Sequence, residues 1–282
     1  MTSLQFHLKN SFCVYPERGK VLEIESLSIN VGELVFVVGA SGIGKSTLIE
    51  SLGLMNNTLG IENDGVANFH NESKTDLIKL WDSKDGQLNE FRKENYSFLF
   101  QENNLMPHFS AGENMMLSQL IKGVGEAEAK QNVLQLMDLL GLNDKLFSEK
   151  VFNLSGGQRQ RVSFIRAISV PFNTLFADEP TGNLDQSTAT LLFRILCDQL
   201  KAKNKTGIIV THDLGLALKF GTRICPIKAK IVNGKISGLL SESNNLIRDG
   251  KKWITSRGVE VLFPEKYLNE FLLQPLEKFE NE

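Results

Sequence analysis

Eight consecutive residues, Gly39, Ala40, Ser41, Gly42, Ile43, Gly44, Lys45 and Ser46, follow the pattern GxxxxGK[ST], with Thr47 directly behind them. The chemistry this pattern suits is phosphate binding. Its glycines let the backbone close around an anion so that N–H groups point inward, and a helix N-terminus behind them adds positive partial charge. Lys45 then reaches the β and γ phosphates of a nucleoside triphosphate, and the Ser46 hydroxyl ligates Mg²⁺. A second constellation is Asp178-Glu179, two carboxylates at the end of the apolar run 174–177. Asp178 suits a Mg²⁺ contact, often through water, because a hard cation prefers oxygen ligands. Glu179 is placed to orient or deprotonate an attacking water. The third is Leu154-Ser155-Gly156-Gly157-Gln158. There a hydroxyl and bare N–H groups at the opening of a helix form a second anion site. One chain thus carries two phosphate-binding surfaces, and a single triphosphate touches both when two subunits pack head to tail.

These groups need elements to hold them. Residues 34–38 are apolar without alternation, which predicts a strand buried on both faces. Gly39 breaks that strand, and a helix follows over 46–54. Residues 27–31 read as an earlier strand, with a turn at Gly32-Glu33. Runs at 97–100, 174–177 and 208–211 are β-rich and lead into polar residues, as at the C-terminal edge of an open α/β sheet, where ligands bind. Val133, Leu136, Met137 and Leu140 recur at helical spacing before a stop at Gly141, and 159–169 forms another helix closed by Pro171. A helix over 187–203 returns the chain to the sheet. Ile231-Val-Asn233-Gly234-Lys-Ile236 reads as a hairpin with an Asn-Gly turn. The class predicted is α/β: a core of 1–100 and 171–237, a helical insertion of 101–170, and a C-terminal extension of 238–282. Residues 63–95 read as a surface loop plus a short helix. In the extension, 259–263 reads as a strand, and Pro264 starts a helix carrying Tyr267, Leu268, Phe271 and Leu272.

Composition narrows the class further. The 282 residues carry a formal net charge of −2, which argues against a basic nucleic-acid clamp, a polybasic membrane binder or an acidic disordered tail. Hydrophobic residues make up 41% and charged residues 23%, enough apolar surface for a real core. Apolar runs such as 34–38 fall far short of the roughly 18 residues of a membrane span. The N-terminal residues lack the pattern of an export signal. Cys13, Cys197 and Cys225 are too scattered for a disulfide framework or zinc site, which favours a reducing, cytoplasmic setting.

Together the three motifs resemble those of the ATP-binding subunit of an ABC transporter, over about residues 4–237. The resemblance implies a RecA-like P-loop NTPase core with an inserted helical subdomain, and ATP and Mg²⁺ as ligands. It implies that Gln101, after the 97–100 strand, contacts Mg²⁺ and the nucleophilic water. Asp185, in Pro180-Thr-Gly-Asn-Leu-Asp185, matches the segment at the family's dimer seam, and His212 matches the histidine that contacts the γ-phosphate. The family stacks adenine on an aromatic residue upstream of the phosphate loop; Phe12 fits by spacing and Tyr15 by residue type. The wording of Ala177-Asp-Glu-Pro-Thr-Gly-Asn-Leu-Asp185, Phe100-Gln-Glu-Asn-Asn-Leu-Met-Pro-His108 and Ala111-Gly-Glu-Asn-Met-Met116 resembles the ATPases of lipoprotein-release, macrolide-export and cell-division complexes. Partners implied are a second copy or a paralogue, and a separate multi-span permease at the cytoplasmic face of the membrane, with no nucleic acid. Met106, Phe109, Met115, Met116 and Leu117 suit an adaptable groove for a permease helix around 101–121; the same residues also suit the subdomain's own core. Two other outputs share these motifs, a signalling ATPase that moves no cargo and a non-transport ABC ATPase.

Overall fold

The computed structural model describes residues 3–84, 86–182, 184–232, 235–273 and 277–279. In chain order its first elements are β1 (Leu4–Tyr15), β2 (Gly19–Asn30), β3 (Leu34–Val38), α1 (Lys45–Leu52), β4 (Leu59–His70), β5 (Lys74–Asp76), α2 (Gln87–Asn95) and β6 (Tyr96–Leu99). They are followed by α3 (Ala111–Ile121), α4 (Glu126–Leu139), α5 (Gly156–Ile168), β7 (Thr174–Asp178), α6 (Gln186–Ala202), β8 (Thr206–Val210), α7 (Leu214–Phe220) and β9 (Arg223–Pro226). The remaining elements are β10 (Lys228–Val232), β11 (Lys235–Leu240), β12 (Leu246–Asp249), β13 (Lys252–Thr255), α8 (Pro264–Leu272) and β14 (Glu277–Phe279). Two compact units result, one of residues 1–90 with 206–282, the other of residues 91–205.

In the first unit, β13, β12, β9, β3 and β8 lie side by side in that order. β3 pairs in parallel with both β8 and β9, and all five of its residues are buried, the outcome that an unalternating apolar run predicts. A bidentate ion pair from Arg223 to Glu33, at 3.0 and 2.7 Å, ties β9 to the turn before β3. Beside this layer stands a sheet that is mostly antiparallel, in the order β14-β10-β11-β2-β1-β4-β5. Its buried face shifts along β1, from Phe6 and Leu8 to Ser11 and Cys13, because Asn10 sits at φ +46 and breaks the two-residue period. The expectation of a loop over 63–95 is corrected here. Residues up to His70 continue β4 against β1, with Phe69 opposite Phe6 and their rings packed edge to face at 5.1 Å. A short helix does follow, as α2.

The extension is part of this unit. β12 and β13 form an antiparallel hairpin, and β12 adds to the edge of β9 through Leu246 opposite Ile224. Arg248 stacks on Trp253 at 4.6 Å and donates to the Gly221 carbonyl at the end of α7. α8 starts at Pro264 as the sequence predicts, and its Leu268 is fully buried. The strand predicted over 259–263 is not formed: Glu260 makes one isolated bridge to Ile254, and Val259, Leu262 and Phe263 are exposed. β10 and β11 do pair as a hairpin, with Val232 opposite Lys235; Asn233 and Gly234 lie outside the described residues.

In the second unit, β6 and β7 pair in parallel, and Tyr96 packs edge to face on Phe176 at 5.1 Å. Helices α3, α4 and α5 share an apolar core of Met115, Val133, Met137 and Ile165, each with no exposed surface. α4 ends before Gly141, which takes φ +63 and so supplies the stop that the sequence indicates. Met115 and Met116 are therefore core residues and line no groove. Met106 and Phe109 remain on the surface, 46% and 40% exposed. Among the described residues, no helix is long and apolar enough to cross a membrane.

Candidate functional site

In the first unit, β3 ends at Val38 and the chain turns through Gly39 to Gly44 into α1. Gly42 and Gly44 have φ +79 and +93, backbone states that cost an L side chain and bend the loop into an anion-binding curve. No side chain caps α1 at Gly44. The loop is pinned from beneath. Ile43 is 1% exposed, and a Cβ on Gly44 would meet Leu22 Cβ and the Val21 carbonyl at 3.0 Å. Ala40, Ser41, Gly42 and Ser46 stand exposed above, with Thr47 half-buried. The Lys45 ammonium lies over the loop, donating to the carbonyls of Gly39 at 3.0 Å and Ala40 at 2.7 Å.

His212 reaches the same edge by register. Val37 of β3 pairs with Val210 of β8, and the Thr211 N–H donates to the Val37 carbonyl. The phosphate loop and His212 therefore leave adjacent parallel strands at their C-terminal ends, and His212 is exposed there. Phe12 and Tyr15 have different surroundings. Phe12 is half-buried, with the Lys20 ammonium 4.6 Å over its ring and Gly60 against its edge. The Tyr15 hydroxyl accepts from Asn56, which also donates to Glu50 of α1.

The second unit repeats this logic. Leu99 of β6 pairs with Ala177 of β7, so Gln101 and the Asp178-Glu179 pair leave neighbouring strand ends. Gln101 is exposed, and Asp178 and Glu179 are half-buried. Glu179 has φ +44, a left-handed state that a non-glycine residue holds only where its surroundings enforce it. Ser155 is the N-cap of α5 in a reciprocal capping box: its Oγ accepts from the Gln158 N–H at 3.2 Å, while Gln158 Oε1 accepts from the Ser155 N–H at 2.8 Å. Gly156 faces open space, and Gly157 has Leu184 as its nearest neighbour, 3.5 Å from where a Cβ would stand. Asp185 caps α6, accepting from the N–H groups and hydroxyls of Ser187 and Thr188. Asn183, two residues earlier, lies outside the described residues.

The hydrogen bonds from Ser187 and then Thr188 hold the Asp185 carboxyl well below the usual carboxylate range. A group whose folded pKa is lowered stabilises above its unfolded value, near pH 4, and loses that contribution as pH falls through the folded value. A carboxyl-detected NMR titration is expected to find Asp185 still ionised well below pH 4; a midpoint at the ordinary value would remove the cap from this account.

The sequence-predicted residues thus fall into two sets, the phosphate loop, His212, Phe12 and Tyr15 on one unit and Gln101, Ser155–Gln158, Asp178, Glu179 and Asp185 on the other. One residue that the motifs did not single out joins the second set: the buried Gln160 of α5, whose amide donates to the Pro180 carbonyl.

Residues 22–182 match the family described as "ABC transporter". The chain belongs to the ABC transporter family. It is 37% identical over 201 residues to the lipoprotein-releasing system ATP-binding protein LolD of Pseudoalteromonas translucida, covering 71% of this chain and 82% of that protein. The LolD protein of Syntrophotalea carbinolica is 39% identical over 211 residues, covering 75% and 88%. With the macrolide export ATP-binding/permease protein MacB 1 of Yersinia pestis the identity is 38%, over 74% of this chain and 30% of that much longer protein. A dimeric structure of the ABC transporter cassette MJ0796 superposes with a TM-score of 0.67 at 32% identity, covering 78% of this chain and 93% of the cassette. This ABC protein is the ATP-binding and ATP-hydrolysing subunit of a membrane transporter complex, built on a RecA-like P-loop NTPase fold.

Proposed function

We propose that two copies of this chain, or this chain and a paralogue, sandwich two ATP between the phosphate loop of one subunit and the Ser155–Gln158 segment of the other. The observation that carries the reading is the N-terminus of α5. Its serine and glutamine satisfy each other's backbone, and Gly156 and Gly157 keep the opening of the helix clear of side chains of their own. MJ0796, 29% identical here, has been seen as a dimer bound to ADP and Pi. In this reading Lys45 and the loop N–H groups bind the β and γ phosphates, His212 contacts the γ-phosphate, and Asp185 lies at the dimer seam. Glu179 holds the attacking water and takes its proton. Phe12 and Tyr15 are the two candidates for the adenine platform.

Each residue proposed here to face Mg²⁺, namely Ser46, Asp178 and Gln101, offers an oxygen, the donor that a hard cation prefers. When bound, the ion would neutralise phosphate charge and orient the triphosphate. The γ-phosphate is the switch, because both subunits hold it and its loss releases the dimer.

The output is proposed as mechanical coupling to a separate permease at the cytoplasmic face, with lipoprotein release or export as the transport class, in line with the LolD and MacB relatives. Met106 and Phe109, exposed before α3, are the contact surface proposed within 101–121. A division-type signalling output is the second reading, favoured by the sequence wording alone.

The sandwich has a direct test. Lys45→Ala and Ser155→Arg chains should each be inactive alone. Mixed, they should regain about a quarter of the parent ATPase rate, since half the dimers are mixed and each holds one intact composite site. A mixture that stays dead, with both chains folded, would remove the head-to-tail arrangement.

A further inference from the structure

Glu179 sits in a backbone state that its own side chain does not favour, so something must hold it there. The turn that follows is short of hydrogen bonds by composition, because Pro180 has no N–H to give. The Gly182 N–H donates to the Glu179 carbonyl at 3.2 Å, and the Leu184 N–H to that of Thr181 at 3.0 Å. The carbonyl between them, that of Pro180, accepts from the Gln160 side chain. Gln160 is 2% exposed and stands on α5, one helical turn beyond Gly156. Phe164, one turn further along α5, lines the same small apolar space as Pro180 and Thr181. The Pro180–Thr181 peptide, one residue beyond Glu179, is therefore fixed to α5 by a side-chain amide and by packing.

The amide is a poor choice if stability were its purpose. Gln160 Oε1 is buried and has no hydrogen-bond partner among the described residues. A half-satisfied buried amide stabilises no better than an apolar chain of the same length. What it adds is direction, through one donor aimed at one carbonyl. We propose that Gln160 is a positioning residue for the hydrolytic step, holding the Pro180 peptide so that Glu179 keeps its left-handed backbone and its carboxylate stays aimed. The proposal rests on Glu179 being the group that handles the attacking water.

The test uses the full chain with ATP·Mg²⁺. Gln160→Met keeps length and bulk and removes the donor. Its kcat should fall roughly 10- to 100-fold, the scale of a displacement near 1 Å at a reacting group, with KM for ATP unchanged and only a small drop in melting temperature, since the Pro180 carbonyl loses its donor while the unpaired Gln160 Oε1 is removed as well. In a Glu179→Gln background, Gln160→Met should leave ATP-driven dimerisation intact, because its action runs through the carboxylate and not through the Ser155 segment. Parent-like turnover in Gln160→Met overturns the proposal, and so does loss of dimerisation in the double variant. If Gln160→Met proves unstable, Gln160→Asn, whose amide is one methylene too short to reach, is read by the same criteria. Glu179→Gln alone separates the two layers: normal turnover there removes the role of Glu179 itself, whatever Gln160 does.

Discussion

Changing Glu179 to glutamine is expected to lower ATP turnover by about 10²–10⁴, a barrier increase of about 3–5 kcal/mol, while leaving ATP binding intact. The expectation follows from position and chemistry together. β7 is buried from Thr174 to Ala177 and opens only at its last residues, so the carboxylates are delivered to a strand end and nowhere else. Asp178 lies within the strand and Glu179 just beyond it, turned out by φ +44. That turn ends the strand between the two carboxylates, for which different tasks are proposed. Glutamine keeps the shape and the hydrogen-bonding reach of Glu179 but cannot accept a proton, so the triphosphate is bound and not cleaved. The variant should accumulate as an ATP-bound dimer on light scattering and return to monomer when ATP is removed. Parent-like hydrolysis, or a chain that stays monomeric in ATP, would falsify the assignment.

The second large effect is expected at Gly238. A Cβ there would stand 2.3 Å from the Ile43 carbonyl, 2.7 Å from Ile227 Cγ2 and 2.9 Å from Leu22 Cδ1. The first of these is backbone of the phosphate loop, and the other two belong to buried residues, so none can swing aside. Gly238→Ala should cost about 1–3 kcal/mol of stability, the usual scale of overpacking. Because the loop is what must move, ATP affinity should fall as well, by about tenfold or more. Thermal melting and titration with a fluorescent ATP analogue read both. Gly125→Ala is the control, since a Cβ at that position meets nothing within 4 Å and should leave ATP affinity alone. Unchanged nucleotide binding in Gly238→Ala would show that the loop does not lean on β11.

What the sequence showed and what it hid follow from period. β3, β6, β7 and β8 are short parallel strands, readable as apolar runs that stop at polar residues, and the chemistry sits where they stop. α4 is readable because Val133 and Met137 recur on one face, and α5 because its run is closed by Pro171. The antiparallel sheet was obscured for a physical reason. β1 changes its buried parity at Asn10, and β4 carries the exposed run Glu62-Asn63-Asp64 with Asn63 at φ +49, so neither keeps the alternation that marks a strand. The run 259–263 misled in the opposite direction: it touches β13 only through Val259, Glu260 and Val261, and its apolar side chains at Val259, Leu262 and Phe263 stay exposed. Of the site, everything held in a contiguous motif was legible. Gln160 was not, because its meaning lies in which carbonyl it reaches, 20 residues away in sequence.

The hairpin of β12 and β13 bears on what happens outside the native fold. A parallel strand at the border of a sheet presents a row of unsatisfied amides and carbonyls, a template on which a second molecule can add. β9 would be such a border if β12 did not lie along it. The hairpin of β12 and β13 therefore works against edge-to-edge pairing along β9, and it does so while Leu246 and Trp253 are drawn into the interior. Removing β12 and β13 would leave β9 as that border.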